Sequence, residues 1–93
     1  MKMNKVERFR QITNEMLMLY ERKNNDYGNS ITDTYKKYGA VSYLVRMEDK
    51  INRVRTLVQN KEQKVDEKIQ DTLIDLANYS ILMMLELEND ENE

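Results

Sequence analysis

The chain of 93 residues lacks cysteine, histidine, tryptophan and proline, and its only glycines are Gly28 and Gly39. Without cysteine or histidine it has no thiol nucleophile, no thiolate or imidazole zinc site and no Ser-His-Asp triad. Disulfide bonds are impossible, so the composition indicates no oxidising compartment. Two isolated glycines also exclude a glycine-rich phosphate loop. Any metal chemistry would therefore have to use carboxylates and a hard cation such as Mg²⁺.

The charged residues are abundant and nearly balanced, with 15 basic and 17 acidic side chains and a formal net charge of −2. A nucleic-acid binder usually has a basic excess, so we expect no nucleic-acid duplex as a partner. The longest apolar run, Ile81–Leu85, is far shorter than the roughly 18–20 residues of a membrane span, so we expect no membrane partner. These features predict one small cytoplasmic domain over residues 1–93.

The spacing of apolar residues predicts an all-α fold, a small antiparallel bundle of about four helices. Asn4 is the expected N-cap of the first helix, and Gly39 is expected to end the second. The acidic tail, about residues 88–93, is expected to fray. The predicted helices cover about residues 4–23, 31–38, 40–60 and 64–87, and the third and fourth are the long ones.

The apolar residues of the predicted fourth helix cover about half of its circumference. That arc, which includes Ile69, Leu73, Ile81 and Leu85, is too wide for one neighbouring helix in a small bundle. We therefore expect a homo-oligomer.

Three groups of polar residues are candidates for a binding site, and the first follows the first predicted helix. Lys23 and backbone N–H groups can hold phosphate, and Tyr27 can stack on a base. Asn24 or Asp26 can hydrogen-bond a ribose or base, and Ser30 can read a polar edge. The alternative interpretation is an ordinary helix end followed by a solvated loop.

The second group lies on the predicted third helix, where Arg46, Asp49, Lys50 and Arg53 share one side because their spacings are 3, 4 and 7. Arginine binds phosphate oxygens as a fork and lysine adds a compact charge, so this side predicts a phosphate clamp with Asp49 orienting the arginines. The alternative is a solvated side with an internal ion pair. The apolar side of the same helix consists of Leu44, Met47, Ile51, Val54 and Val58.

The third group lies on the predicted fourth helix, where carboxylates in successive turns repel one another. Either the basic side chains of the third helix pair with them across an antiparallel hairpin, or they hold Mg²⁺ together with substrate phosphates. The polar residues of this group are Asp71, Asp75, Asn78 and Tyr79, and the metal set of the second interpretation is Asp49, Glu67, Asp71 and Asp75.

Three strings in this order resemble the small "nucleotide modification associated domain, type 1" proteins of phages and bacteria. They are Lys23-Asn24-x-Asp26-Tyr27-Gly28-x-Ser30, Arg46-x-x-Asp49-Lys50-x-x-Arg53 and Asp71-Thr72-x-x-Asp75-Leu76-Ala77-Asn78-Tyr79. The resemblance covers roughly residues 20–85. It implies an all-helical protein that handles nucleotides, located in the host cytoplasm if phage-encoded. In such a protein Asp71, Asp75, Asn78 and Tyr79 would bind the nucleotide. Asn78 and Tyr79 would line the floor of the site, with Tyr79 alternatively packing in the core, and Asp71 would orient the arginines. The resemblance also implies a distant similarity to MazG-like nucleoside triphosphate pyrophosphohydrolases, which use Mg²⁺ and acidic helix motifs.

The chain departs from the MazG-like pattern, which has Glu-Glu-x-x-Glu on one helix and Glu-x-x-Asp on the next. Here the third helix has only Glu48 and Asp49, followed by the basic Lys50 and Arg53. Such a site suits anion binding better than metal-assisted hydrolysis. The leading hypothesis is therefore a helical protein that binds and sequesters a nucleotide-derived molecule, a sponge for a host immune signal, with no catalytic residue and no cofactor. The alternatives are a Mg²⁺-dependent pyrophosphohydrolase and a structural interaction protein.

Overall fold

The computed structural model describes residues 4–27, 30–60 and 67–92, without the side chains of residues 25–27, 67 and 91–92. All regular structure in these ranges is helical, which confirms the predicted all-α fold. The chain divides into two compact units, residues 1–30 and 31–93. In the second unit the two long helices pack against each other. The helices are α1 (Lys5–Tyr27), α2 (Ser30–Tyr38), α3 (Val41–Gln59) and α4 (Glu67–Asn92).

Helix α1 begins where the sequence predicts and ends later. The Glu7 N–H donates to Asn4 Oδ1 at 2.8 Å, so Asn4 caps the helix. The predicted end at Lys23 is wrong, because α1 continues to Tyr27. Asparagine and aspartate lower helix propensity by well under about 1 kcal/mol each, and the first stronger helix breaker in the sequence is Gly28. A polar composition alone therefore does not stop the helix.

Helix α2 ends at a glycine in the left-handed conformation. Gly39 has φ +76°, and its N–H donates to the Tyr35 carbonyl at 2.6 Å, which closes the last turn of α2. A side chain at this backbone angle would be strained. The predicted helix end at Gly39 is confirmed, and α3 begins two residues later at Val41. Within the described ranges, no helix combines the length and apolar character that a membrane crossing requires.

A chain of three tyrosine rings joins α2, α3 and α4. Tyr43 is 1% exposed and contacts one ring on each side. Its ring centroid lies 5.9 Å from that of Tyr35 and 6.4 Å from that of Tyr79, at interplanar angles of 66° and 79°. Aromatic rings prefer this edge-to-face geometry because the positive edge of one meets the negative face of the other. The second unit therefore has a tyrosine core.

Helix α4 continues to Asn92, beyond its predicted end at residue 87, and its end contacts α2. The fraying expected for about residues 88–93 remains a prediction. Thr32 Oγ1 donates to Glu86 Oε1 at 3.2 Å, and the Tyr35 hydroxyl donates to Asp90. The hydrogen bond to Asp90, burial, and the negative charges of Asp90 and Glu86 raise the pKa of the Tyr35 hydroxyl above its ordinary value of 10.0. Acidic residues that accept hydrogen bonds from a neighbouring helix extend α4 beyond the end that its composition predicts.

Only part of the apolar side predicted for α3 is covered by neighbouring helices. Met47 and Val54 are half-buried, but Leu44, Ile51 and Val58 remain 52%, 43% and 64% exposed. The reason is that α3 contacts α4 through the neighbouring side, which carries Tyr43 and the charged residues described below. The three exposed residues recur every seven positions and form a stripe along α3.

We expect Tyr43→Ala to lower the free energy of unfolding by about 3–5 kcal/mol, because it empties the centre of the tyrosine core. Urea denaturation followed by far-ultraviolet circular dichroism, at one fixed protein concentration, measures this. Tyr38→Ala is the matched control, since Tyr38 is 64% exposed, and its cost should stay below about 1 kcal/mol. Equal costs for the two variants would contradict the proposed core.

Candidate functional site

The polar side chains of α3 and α4 meet along one side of the helix pair. We call the residues Arg46, Lys50, Arg53, Thr72 and Asp75 the polar seam. Lys50 Nζ lies 3.2 Å from Asp75 Oδ2, and the two side chains are only 28% and 23% exposed. This pair confirms, for Lys50 and Asp75, the prediction that basic residues of the third helix pair with acidic residues of the fourth.

Arg53 contacts α4 through a hydroxyl group instead of a carboxylate. Its Nε donates to Thr72 Oγ1 at 3.2 Å, and the same hydroxyl donates to the Lys68 carbonyl at 2.7 Å. Thr72 is 3% exposed, so its hydroxyl is a fixed acceptor inside the helix pair. In the described contacts only Nε of Arg53 is engaged, which leaves the two terminal nitrogens of the guanidinium for another partner.

Arg46 lies two turns before Arg53, on the same side of α3. It is half-buried and has no hydrogen-bond or ion-pair partner among the residues that the structure describes. A guanidinium carries five donors and remains charged at any physiological pH, so an unpaired one next to a helix contact is available to an anion. Arg46 is thus the strongest anion-binding candidate of the seam.

The remaining predicted residues of α3 and α4 take different positions. Asp49 and Asp71 are exposed, and Asn78 is half-buried. Tyr79 packs edge-on against Tyr43, as its structural interpretation predicts. The roles predicted for Asp49, Asp71, Asn78 and Tyr79 at a nucleotide remain predictions.

The predicted metal ligands that the structure describes do not form a centre of three carboxylates. In residues 4–24, 30–60 and 68–90, no group of three or more carboxylates could hold a metal ion. Asp49, Asp71 and Asp75 therefore do not form such a group among themselves. The fourth member of the predicted metal set, Glu67, has a side chain outside the described residues.

The opposite side of the helix pair is apolar. Ile51 is two residues from Arg53, and Leu73 is two residues from Asp75, so each lies about 200° around its helix from a seam residue. We infer that these exposed apolar sides of α3 and α4 lie on the other face of the pair. We call this the apolar face; its members and their exposures are Leu44 52%, Ile51 43%, Val58 64%, Leu73 46% and Met84 59%.

The candidate residues before residue 31 belong to the first unit, which is described by itself. Lys23 is exposed and Asn24 half-buried, both in the last turns of α1, and Ser30 is the exposed first residue of α2. The side chains of Asp26 and Tyr27 lie outside the described residues. The proposal that these five residues share a site with the seam remains a prediction.

The sequence pattern assigned no role to Thr72 or to Glu86, which lies just before the predicted acidic tail. Thr72, Tyr79 and Glu86 recur at seven-residue steps, which place them on one side of α4. All three contact other helices. The seven-residue spacing could have indicated this shared side. A search for apolar periodicity misses it, because two of the three residues are polar.

Comparison with known proteins supplies a family assignment. The family model described as "Nucleotide modification associated domain 1" matches residues 23–87. No curated protein and no solved structure matches the chain. The matched range contains α2, α3 and the polar seam.

We expect the Lys50–Asp75 pair to have a coupling energy of about 1 kcal/mol, the upper end for accessible pairs, because both side chains are mostly buried. A double-mutant cycle with Lys50→Met and Asp75→Asn, measured by urea denaturation, gives this value. Arg8 and Glu15 of α1 are the control pair: they lie 3.6 Å apart with side chains 46% and 55% exposed, so their coupling should be smaller. Equal coupling energies in the two pairs would show that partial burial in the seam does not strengthen the Lys50–Asp75 ion pair.

Proposed function

Because the chain belongs to the nucleotide modification associated domain 1 family, we propose that it binds a nucleotide-derived small molecule at the polar seam and holds the molecule without converting it. The observation that carries this proposal is the pair of arginines on one side of α3. Arg46 has no partner among the described residues, and Arg53 keeps two nitrogens available. The family's name refers to nucleotides, and phosphate is the part of a nucleotide that such a pair recognises.

The seam is suited to phosphate because it combines free and fixed positive charge. Lys50 is held by Asp75 at 3.2 Å, so it contributes a positioned but already paired charge. Arg53 is oriented by the buried Thr72 hydroxyl, which limits the conformational freedom that binding would otherwise cost. Arg46 and Arg53 are seven residues apart, about 10 Å along the helix, a span that suits a ligand with more than one phosphate.

Retention without hydrolysis is supported by the chemistry that the chain lacks. Proton transfer near neutral pH is most often carried out by histidine, and the chain has none. Asp75 is the only carboxylate among the seam residues, and in the described stretches no three carboxylates form a group that could hold a metal ion. A protein with these properties would act by sequestering its ligand, as a sponge does. Mg²⁺-dependent hydrolysis is the alternative that the experiment below distinguishes.

Isothermal titration against cyclic nucleotides and ADP-ribose derivatives tests the proposal. We expect at least one member to bind, and Arg46→Glu and Arg53→Glu each to weaken it by at least about tenfold, the loss of about 1.4 kcal/mol or more. Mass spectrometry of the ligand after incubation with Mg²⁺ should recover it intact.

Arg55→Glu is the matched control, because it makes the same charge change on an exposed position at the other side of α3. The affinity of the Arg55→Glu variant for the ligand should remain near that of the unaltered protein. If the ligand still binds to both charge-reversed variants, Arg46→Glu and Arg53→Glu, then the binding site is not at the polar seam. No binding tighter than about 100 µM to any member would contradict nucleotide binding, and released phosphate or pyrophosphate would support the enzyme alternative.

We also propose that a second copy of the chain covers the apolar face. The five large apolar side chains of this face are 43–64% exposed, whereas single exposed apolar residues are what a monomer normally shows. A copy related by a two-fold axis presents the same face, so the patch is complementary to itself. The polar seams would then lie on the outer sides of the dimer, where each remains accessible to ligand.

Multi-angle light scattering should give about twice the 11.2 kDa chain mass for the unaltered protein at tens of micromolar concentration. Ile51→Glu should give the mass of a single chain, because it buries a charge at the centre of the face. Asn52→Glu adds the same charge to an exposed neighbour and should leave the mass unchanged. A monomeric unaltered protein, or an unchanged mass for Ile51→Glu, would exclude this interface.

A further inference from the structure

Four oxygen-bearing side chains converge where α2 packs against the end of α4. Thr32 Oγ1 donates to Glu86 Oε1 at 3.2 Å, and the Tyr35 hydroxyl donates to Asp90 Oδ2. We call Thr32, Tyr35, Glu86 and Asp90 the acidic corner. It lies on the far side of the tyrosine core from Thr72 and Asp75 of the seam, and it plays no part in the proposed nucleotide binding.

One oxygen of the acidic corner is buried without a hydrogen bond. Glu86 is 6% exposed, and no donor among the described residues reaches its Oε2. Native proteins pair nearly all of their buried polar groups, so an unpaired buried carboxylate oxygen requires an explanation. A carboxylate can only accept, so what is missing is a donor or a positive charge.

The surroundings of Glu86 increase the need for positive charge. Asp90 follows Glu86 by four residues, which places a second carboxylate on the same side of α4. Both lie near the C-terminal end of the helix, where the backbone dipole disfavours negative charge, and the last turn of α4 has no basic residue. Neither carboxylate forms an ion pair with any described residue.

We propose that the acidic corner binds a hard divalent cation, with Glu86 and Asp90 supplying the carboxylate oxygens. The corner offers only oxygen atoms, the ligands that Ca²⁺ and Mg²⁺ take in proteins, and one or two carboxylates with water in the remaining positions is a common arrangement. Asp90 is exposed, so one of the two carboxylates can be reached from solvent. Thr32 and Tyr35 are positioning residues, because each holds one carboxylate through a hydroxyl group.

A cation at this position would reinforce the contact between α2 and the end of α4. Each of its two carboxylates is hydrogen-bonded to a hydroxyl group of α2, so the ion would hold both carboxylates in the positions that this contact requires. The ion favours the folded chain, because only there do the hydroxyl groups of α2 position both carboxylates, and it should therefore raise the thermal midpoint.

Thermal unfolding of nucleotide-free, EDTA-treated protein tests this proposal. CaCl₂ or MgCl₂ at millimolar concentration should raise the midpoint by about 4–8 °C relative to choline chloride of equal ionic strength. Glu86→Gln and Asp90→Asn should each abolish the rise. Glu88→Gln, which removes the same charge from an exposed position of the same helix, should keep it.

Terbium luminescence gives a second readout that does not depend on stability. Bound Tb³⁺ is sensitised by a nearby tyrosine, so Tb³⁺ should luminesce on excitation of the protein, and Ca²⁺ should displace it. Asp90→Asn, at an exposed position, should abolish the signal even if Glu86→Gln does not fold. The absence of a midpoint rise in the unaltered protein, a rise kept in Asp90→Asn, or one lost equally in Glu88→Gln would overturn the proposal. None of these outcomes affects the nucleotide test, which uses the arginines of α3.

Discussion

The buried ring of Tyr43 determines how the second unit is assembled. It stands edge-on between Tyr35 of α2 and Tyr79 of α4, so three helices depend on one side chain that is 1% exposed. The left-handed Gly39 turns the chain sharply between α2 and α3 and thereby places Tyr35 and Tyr43, eight residues apart, in contact. With α3 anchored at this end, its register against α4 is set, and the Lys50–Asp75 pair follows from that register.

The anchored register gives the pair of long helices two unlike faces. One face presents the polar seam, in which Lys50 and Asp75 neutralise each other while Arg46 has no partner among the described residues. The other face presents large apolar side chains to solvent. A small chain of this kind has too little interior to bury all its apolar residues. The two proposals, a small charged ligand on one face and a second chain on the other, are consistent with that constraint.

The sequence was informative about the helices and less so about which side of each helix is buried. Periodicity predicted four helices, the cap at Asn4 and the end at Gly39, because these features depend on neighbouring residues. It did not predict that Ile51 stays exposed or that Glu86 is buried, because those outcomes depend on distant contacts. At the site, the spacing correctly placed the basic residues of α3 on one side of the helix. The bond from Arg53 to a threonine was not predictable, since the charge pattern favoured a carboxylate partner.

The tyrosine core also gives the protein an optical property. The chain has no tryptophan, so its near-ultraviolet circular dichroism is dominated by six tyrosines, of which three are held in fixed ring contacts. The far-ultraviolet signal reports helix content, and the near-ultraviolet signal reports fixed packing. The packing of α2, α3 and α4 around the tyrosine core can therefore be observed separately from helix content in a single unlabelled sample.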